Sequence, residues 1–415
     1  MSNRMKALAL AGSLAMLAGT AAPAAAQTEL TLWTQEGQAQ NAFEYVESLA
    51  AAYSEANPDV SINVINKDTE ALREDLFTAS MGGAAPDILW TVSDHVGPFT
   101  AAGLIAPLDD VIDAAAYVPA ALDVVTVDGQ VWGAPTSFGN HLMLYYNKDV
   151  IPEAPANTDE LIELAVANTD AANGQYGLVY DQAESFWLVP WLGGFGGSVF
   201  AEDGVTPTLD TEAMVGALTF LHDLKYEYGV MPADADYNTA DGLFKEGLAP
   251  MIINGDWTLG AYVDTFGDAL GLAPIPQVVD GDFPKPYVAG KYLMMPSAVT
   301  EDEEKAAIVA DFINWATNTE NQLEQVELLA RVPGNAEAIA DPLVTEDPFI
   351  AGSAEAAQYG TQQPTNLEMR CIFDAMTNGI RTLYASADAD PAGIAATMQS
   401  SVDNDVAPGG ACGPE

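Results

Sequence analysis

From about residue 30 the chain alternates between short apolar runs and longer amphipathic ones. Residues 30–33, the alternating stretch 60–64 and residues 87–90 read as strands. Between the first two, Phe43, Val46, Leu49, Ala50 and Tyr53 recur at helical spacing, with Pro58 just beyond. Residues 70–81 read as a second helix, halted by Gly82 and Gly83. This strand–helix–strand–helix–strand order predicts a parallel sheet with right-handed crossovers. A further helix runs to about Ala102, with Gly103 as its left-handed stop.

The pattern then changes. Residues 130–134 and 142–146 are apolar and rich in strand formers. Residues 159–167 read as a helix capped by Thr158. Met214, Ala217, Leu218, Leu221 and Leu224 form one stripe of a longer helix, with Gly229 past its end. A short helix over 240–246 and a strand over 250–253 follow. Ala306, Val309, Phe312, Ile313 and Ala316 define a helix over 303–316, and another spans about 367–385. The sequence shows no internal repeat and no coiled coil, and residues 386–390 read as a solvated loop.

Before the first strand, Arg4 and Lys6 precede an apolar run over 7–19 that is too short to span a bilayer. Ala24-Ala25-Ala26 follows as a small-residue cleavage site. Residues 1–26 therefore read as a secretory signal peptide cleaved before Gln27, which predicts a periplasmic protein. No cysteine sits at the cleavage point, so a lipid anchor is not indicated.

Charge narrows the partners. Thirteen Lys and Arg face sixty Asp and Glu, a formal net charge of −47. Loss of Arg4 and Lys6 makes it more negative still. Nucleic-acid binding depends on neutralising phosphates with Lys and Arg, which argues against such a partner. The same shortage of basic residues argues against a polybasic anchor to an anionic lipid surface. Cys371 and Cys412, both near the C-terminus, read as one disulfide in an oxidising compartment, with two free thiols as the alternative. His95, His141 and His222 are scattered and make no zinc pattern with them. The sequence predicts no metal and no cofactor.

In an open α/β sheet, ligands bind outside the carboxyl ends of the strands. Here those ends carry Trp33 with Gln35 and Glu36, Trp90 with Asp94, and Asn254 with Asp256 and Trp257. Each joins an aromatic ring to a carboxamide or carboxylate. A pyranose presents an apolar face that stacks on such a ring and a rim of hydroxyls that planar side chains bridge. The alternative for Trp33 and Trp90 is burial in the core, with the carboxylates as helix caps.

Three segments carry a resemblance to a known family. Ala85-Pro86-Asp87-Ile88-Leu89-Trp90 is followed by Asp94 and Ala102-Gly103-Leu104-Ile105; Tyr145-Tyr146-Asn147-Lys148-Asp149 and Ala249-Pro250-Met251-Ile252-Ile253-Asn254-Gly255-Asp256-Trp257 come later. Their order and spacing resemble the sugar-binding solute-binding proteins of ABC importers, most closely the maltose/maltodextrin type. The resemblance runs from Leu30 to about Ser386 and is weakest over 317–363. It implies an α/β, two-lobed type II periplasmic-binding-protein fold with discontinuous lobes and a hinge. The N-terminal lobe would comprise residues 27–138 and 288–332, and the C-terminal lobe 139–287 and 333–415. The resemblance further implies a monomer that holds an oligosaccharide between its lobes and delivers it to membrane permease subunits.

Position by position, the resemblance implies a site. Asp94 matches a carboxylate that binds sugar hydroxyls. His95 stands where maltose proteins have an arginine, Thr91 where they have a tryptophan, and Asn140 where they have a glutamate. Glu184, Phe186 and Trp187 match a stretch that clamps and stacks sugar, and Tyr237 and Trp257 match two further aromatic platforms. Gln35 and Glu36 fall in the first strand-end loop, where polar contacts are expected. A tryptophan of the C-terminal helix has no counterpart; Arg370, Phe373 and Asp374 occupy that region. Each position has a plainer reading: Trp187, Trp191 and Phe195 as helix core, His95 as a surface helix residue, Tyr237 as a cap of the helix that starts at Ala240.

Enzyme signatures are missing: no nucleophile elbow, no P-loop, no H-E-x-x-H. Asp234-Ala235-Asp236-Tyr237-Asn238 begins like a calcium loop, but Thr239 and Lys245 stand where it needs Gly and Glu. With sixty carboxylates, pairs resembling a glycosidase couple arise by number alone. The function expected is therefore oligosaccharide binding rather than catalysis. A secreted glycoside hydrolase, or a binder of a polyol or non-glucose sugar, is the alternative. For an anionic sugar, Arg331, Arg370 or Lys291 would have to make a local basic pocket.

Overall fold

The computed structural model describes residues 27–38 and 40–412. The signal-peptide segment expected over 1–26 lies outside the described residues.

Two sheets organise the chain. In the first, strand Thr28–Thr34 lies between Val60–Asn66 and Ile88–Val92, parallel to both. The helices Gln40–Ala56 and Thr69–Met81 make the crossovers. Side chains of these strands alternate between two faces, as strand geometry requires. Leu30, Leu32, Ile88 and Trp90 pack with Tyr45, Leu49, Phe312 and Ile313. Trp33 and Leu89 pack on the other side with Leu72, Leu76 and Phe99. Both tryptophans at these strand ends are thus core residues. Trp33 is 8% exposed under the Lys67 ammonium, and Trp90 is 1% exposed, edge-on to Tyr45.

The long strand Tyr287–Pro296 then pairs antiparallel with both Ile88–Val92 and Ala134–Gly139. Its register against Ala134–Gly139 shifts between Lys291 and Tyr292. Such a bulge re-aims neighbouring side chains, and it lies beside the cavity described below.

The second sheet has three antiparallel strands, with Leu142–Asn147 between Leu270–Ala273 and Met251–Gly255. Leu142, Leu144, Met251 and Ile253 pack against the helices Glu212–Tyr226 and Glu368–Tyr384. Met143, Tyr145 and Ile252 pack on the opposite face against Phe244, Leu259 and Tyr262. The chain leaves the first sheet at Gly139 and enters the second at Leu142.

Helix starts differ from the sequence reading in detail. The cap of the helix Thr158–Ala167 is Asn157, which accepts from the Glu160 amide at 3.0 Å, and Thr158 is already helical. The helix expected from Ala240 begins at Tyr237 because Asp236 caps it, accepting from the Thr239 amide at 2.8 Å. That capping bond is also the role of the supposed calcium-loop aspartate. The helix Thr319–Leu329 shows little apolar periodicity because its buried face carries the amides Asn321, Gln322 and Gln325 beside Val326 and Leu329. Gln322 and Gln325 donate to the carbonyls of Pro135 and Thr136, tying this helix to the strand Ala134–Gly139.

Cys371 and Cys412 are joined, so the chain beyond the helix Pro391–Asp405 is fastened back onto Glu368–Tyr384.

Candidate functional site

The parallel strands of the first sheet open their carboxyl ends on one edge. Thr28–Thr34 delivers Gln35 there, and Ile88–Val92 delivers Asp94. Val60–Asn66 leads to Asp68, whose carboxylate accepts from the amides of Glu70 and Ala71 and so starts the helix bearing Glu70 and Arg73. Facing them, the second sheet supplies Trp257 beyond Met251–Gly255, and the turn Ser185–Trp187 supplies Phe186 and Trp187. The helix Glu368–Tyr384 contributes Phe373, Thr377 and Arg381, four residues apart and on one face. Together these enclose a cavity of about 700 Å³, a size suited to a small-molecule or oligosaccharide ligand.

One wall is aromatic. Phe186 and Trp187 lie 5.9 Å apart by ring centroid, and Trp257 lies 6.2 and 6.3 Å from them. Tyr237 joins at 6.2 Å from Trp187. Their polar edges are satisfied within the protein. Trp187 Nε1 donates to the Ile253 carbonyl at 2.8 Å, and Trp257 Nε1 to the Tyr237 hydroxyl at 2.9 Å. These bonds fix the rings as a preformed apolar platform.

The remaining walls are polar and mostly acidic. Eight carboxylates line the cavity (Asp68, Glu70, Glu74, Asp94, Asp181, Glu184, Asp236 and Asp374) against three cations, Arg73, Lys291 and Arg381. Each cation already faces a carboxylate: Arg73 binds Glu70 at 2.7 Å, Lys291 binds Glu36 at 2.9 Å, and Arg381 stands 3.8 Å from Glu184. Glu70 is open to the cleft but surrounded by protein mass, which raises its carboxyl. Arg73 opposes the rise, Asp94, Glu184 and Asp374 add to it, and the result is about 7. Burial likewise lifts Asp181 to about 7, with the charges of Glu184 and Asp236 adding to it. Burial raises Asp94 and Glu184 as well, while Arg73 and Arg381 respectively pull them back. Gln35 Nε2 and Gln363 Oε1 are buried without a protein partner, and both residues line the cavity. A donor and an acceptor are thus unspent beside the platform.

Of the residues read from sequence, Gln35, Asp94, Asn140, Glu184, Phe186, Trp187, Tyr237 and Trp257 line this one cavity. Glu36, His95 and Arg370 are not among its lining residues. Glu36 is 2% exposed and fully engaged, with Arg331 Nη1 and Nη2 each at 2.8 Å and Lys291 Nζ at 2.9 Å. Although burial alone would raise its carboxyl, Arg331 and Lys291 hold it down at about 2. His95 turns inward within the turn Ser93–His95. Its Nδ1 meets Thr91 Oγ1 at 2.7 Å, its ring lies 5.3 Å from Phe99, and burial lowers it to about 3. Arg370 sits one turn before the lining face of its helix, 3.9 Å from Asp374. Arg331, considered for a basic pocket, is 2% exposed and spent on Glu36.

Arg73, Asp181, Gln363 and Arg381 line the cavity but were not singled out from sequence. The strand-end rule, applied also to the strand over 60–64, leads to Asp68, Glu70 and Arg73. Extending the stripe from Phe373 by helical steps leads to Thr377 and Arg381. Asp181 and Gln363 carry no comparable signal.

Among the described residues there is no cluster of His, Cys, Asp and Glu arranged to hold a metal ion, and no helix long and apolar enough to cross a membrane. Residues 48–352 match the family model described as bacterial extracellular solute-binding protein. A maltotriose-binding protein of Pyrococcus abyssi is 29% identical over 82% of this chain and 74% of its own length. A galactooligosaccharide-binding protein of Bacillus subtilis is 25% identical over 88% of this chain and 86% of its own. Among solved structures, the maltose/maltodextrin-binding domain of Bdellovibrio bacteriovorus bound to maltotriose superposes with a TM-score of 0.86 at 30% identity, covering 91% of this chain and all (100%) of that one. The Thermus thermophilus maltotriose-binding protein, 22% identical, shares the two-lobed fold with a TM-score of 0.82 over 91% of this chain and 100% of its own. With the cavity held between its two lobes, this chain belongs to the bacterial extracellular solute-binding protein family.

Proposed function

We propose that this protein captures a neutral oligosaccharide of the maltotriose or maltodextrin type between its lobes and hands it to the permease of an ABC importer. The observation that carries this reading is the platform of Phe186, Trp187, Tyr237 and Trp257 in a wall otherwise rich in carboxylates. Rings take the apolar faces of successive sugars. Carboxylates and the unspent amides of Gln35 and Gln363 take hydroxyls. The relatives that bind maltotriose and maltodextrin support the ligand class. The acidic surplus and the pairing of Arg73, Lys291 and Arg381 argue against an anionic sugar. A periplasmic location and a monomeric state belong to the same proposal, as do permease partners and the lack of turnover.

Isothermal titration against maltose, maltotriose, longer maltodextrins, galactooligosaccharides and sugar alcohols tests it. Maltotriose or a longer maltodextrin is expected to bind most tightly, with unchanged ligand recovered afterwards. Preference for a galactooligosaccharide or a polyol would replace the ligand assignment. Release of reducing ends by the purified protein would replace binding with hydrolysis.

A further inference from the structure

The cavity wall carries a cation that its own ion cluster does not need. Glu36, at the end of the first strand, accepts from both terminal nitrogens of Arg331 at 2.8 Å. That fork neutralises the carboxylate and engages both of its oxygens. Lys291 nevertheless brings a second cation to the same group, with Nζ 2.9 Å from Oε2. Its side chain is 6% exposed. An ammonium that shares one carboxylate with a guanidinium regains little of the hydration it gives up on burial. Burial and the charge of Arg331 push Lys291 down, Glu36 pulls it back, and it stands at about 8.

The backbone turns this side chain toward the cavity. Along the strand Tyr287–Pro296, Ala289, Tyr292 and Met294 pack into one core. Strict alternation would put Lys291 on the face of Ala289 and Tyr292 on the opposite one. The register against Ala134–Gly139 shifts between Lys291 and Tyr292 instead. Tyr292 thereby takes the core position, its hydroxyl donating to the Ala121 carbonyl at 2.8 Å. Lys291 lines the cavity, as does Val92, its partner on the neighbouring strand.

We propose that Lys291 contacts the ligand: its ammonium, anchored by Glu36, donates to an oxygen of the bound sugar, and this contact is what the surplus buried charge serves. Glu36 takes one of the three ammonium donors, which leaves two for the ligand. The acceptor is a neutral hydroxyl or acetal oxygen, because the eight carboxylates lining the same cavity repel an anion. The contact rests on the oligosaccharide function proposed above.

Lys291→Met in the full protein tests it. The variant keeps an unbranched side chain and removes the ammonium, while Glu36 retains the Arg331 fork. Isothermal titration is expected to show maltotriose binding weakened by about tenfold or more. Calorimetry of the ligand-free variant is expected to give a melting temperature equal to or above that of the wild type, since no charge is left unpaired. A lysine needed for folding gives the opposite pair, a lower melting temperature with affinity intact. Unchanged affinity overturns the proposal, and so does a lowered melting temperature. Should Lys291→Met fail to fold, the same two measurements on Lys291→Gln decide, and loss of the fold in both variants also overturns it. Wild-type protein that binds no sugar ends the function above and the contact with it. Wild-type binding of maltotriose matched by Lys291→Met ends the contact alone.

Discussion

The indole nitrogen of Trp257 donates to the Tyr237 hydroxyl at 2.9 Å, and both rings remain part of the cavity wall. One bond therefore fixes two of the rings proposed to carry sugar. Trp257→Ala removes the ring and leaves Tyr237 without its donor. Titration with maltotriose is expected to show a loss of about 1 kcal/mol or more. Unchanged affinity in a folded variant would remove Trp257 from the site.

Glu184 is half-exposed and held only loosely by Arg381 at 3.8 Å, so it contributes little to folding. Glu184→Gln is expected to weaken maltotriose binding while the melting temperature stays within about 2 °C, as for surface changes generally. A fall in melting temperature with intact binding would make it a structural residue.

Asp181 is 5% exposed, and burial raises its carboxyl to about 7 from an ordinary value near 3.8. Between those values the folded protein holds a proton that the unfolded chain has lost, so this group makes stability fall as pH rises. Asp181→Asn retains an acceptor for the Ala183 amide. It is expected to raise the melting temperature at pH 8 and leave it nearly unchanged at pH 4. Equal shifts at both pH values would contradict this assignment.

Self-repulsion follows from a net charge of −47. Since salt screens exposed charges, the melting temperature is expected to rise between low salt and about 0.5 M NaCl. A flat or falling curve would show that local pairing already offsets the repulsion. The same charge suits a saline setting.

The disulfide closes a loop across a sequence separation of 41. Replacing Cys371 and Cys412 by Ala together is expected to destabilise the protein by about 2–4 kcal/mol. Differential scanning calorimetry on the double variant checks this, and a smaller loss would mean that helix packing alone holds the tail.

Much of the fold is legible because period and order are local properties. Residues 30–33, 60–64 and 87–90 announce a parallel sheet, and the structure places them in adjacent parallel strands. The helix Thr319–Leu329 was not legible, because Gln322 and Gln325 are buried by bonds to carbonyls of a strand remote in sequence. The strand-end rule marks the edge of the cavity and leaves open which side chains reach it. It located Gln35, Asp94 and Trp257 at the cavity, whereas Trp33 and Trp90 serve the two faces of the sheet.

The sequence by itself determined the alternating architecture, the acidity, the likeness to sugar-binding solute-binding proteins and most of the aromatic wall. Only the tertiary structure decided what each charge does. Glu36 and His95 sit in strand-end loops like their neighbours, yet one closes an ion cluster with Arg331, 295 positions away, and the other packs on Phe99. Arg370 and Arg381 share a helix, and only the turn on which each falls separates the rim from the cavity lining. Periodicity assigns a residue to a face of its own element. Which partner that face meets depends on how distant elements pack, and that sets whether a polar side chain is left for a ligand or spent inside the protein.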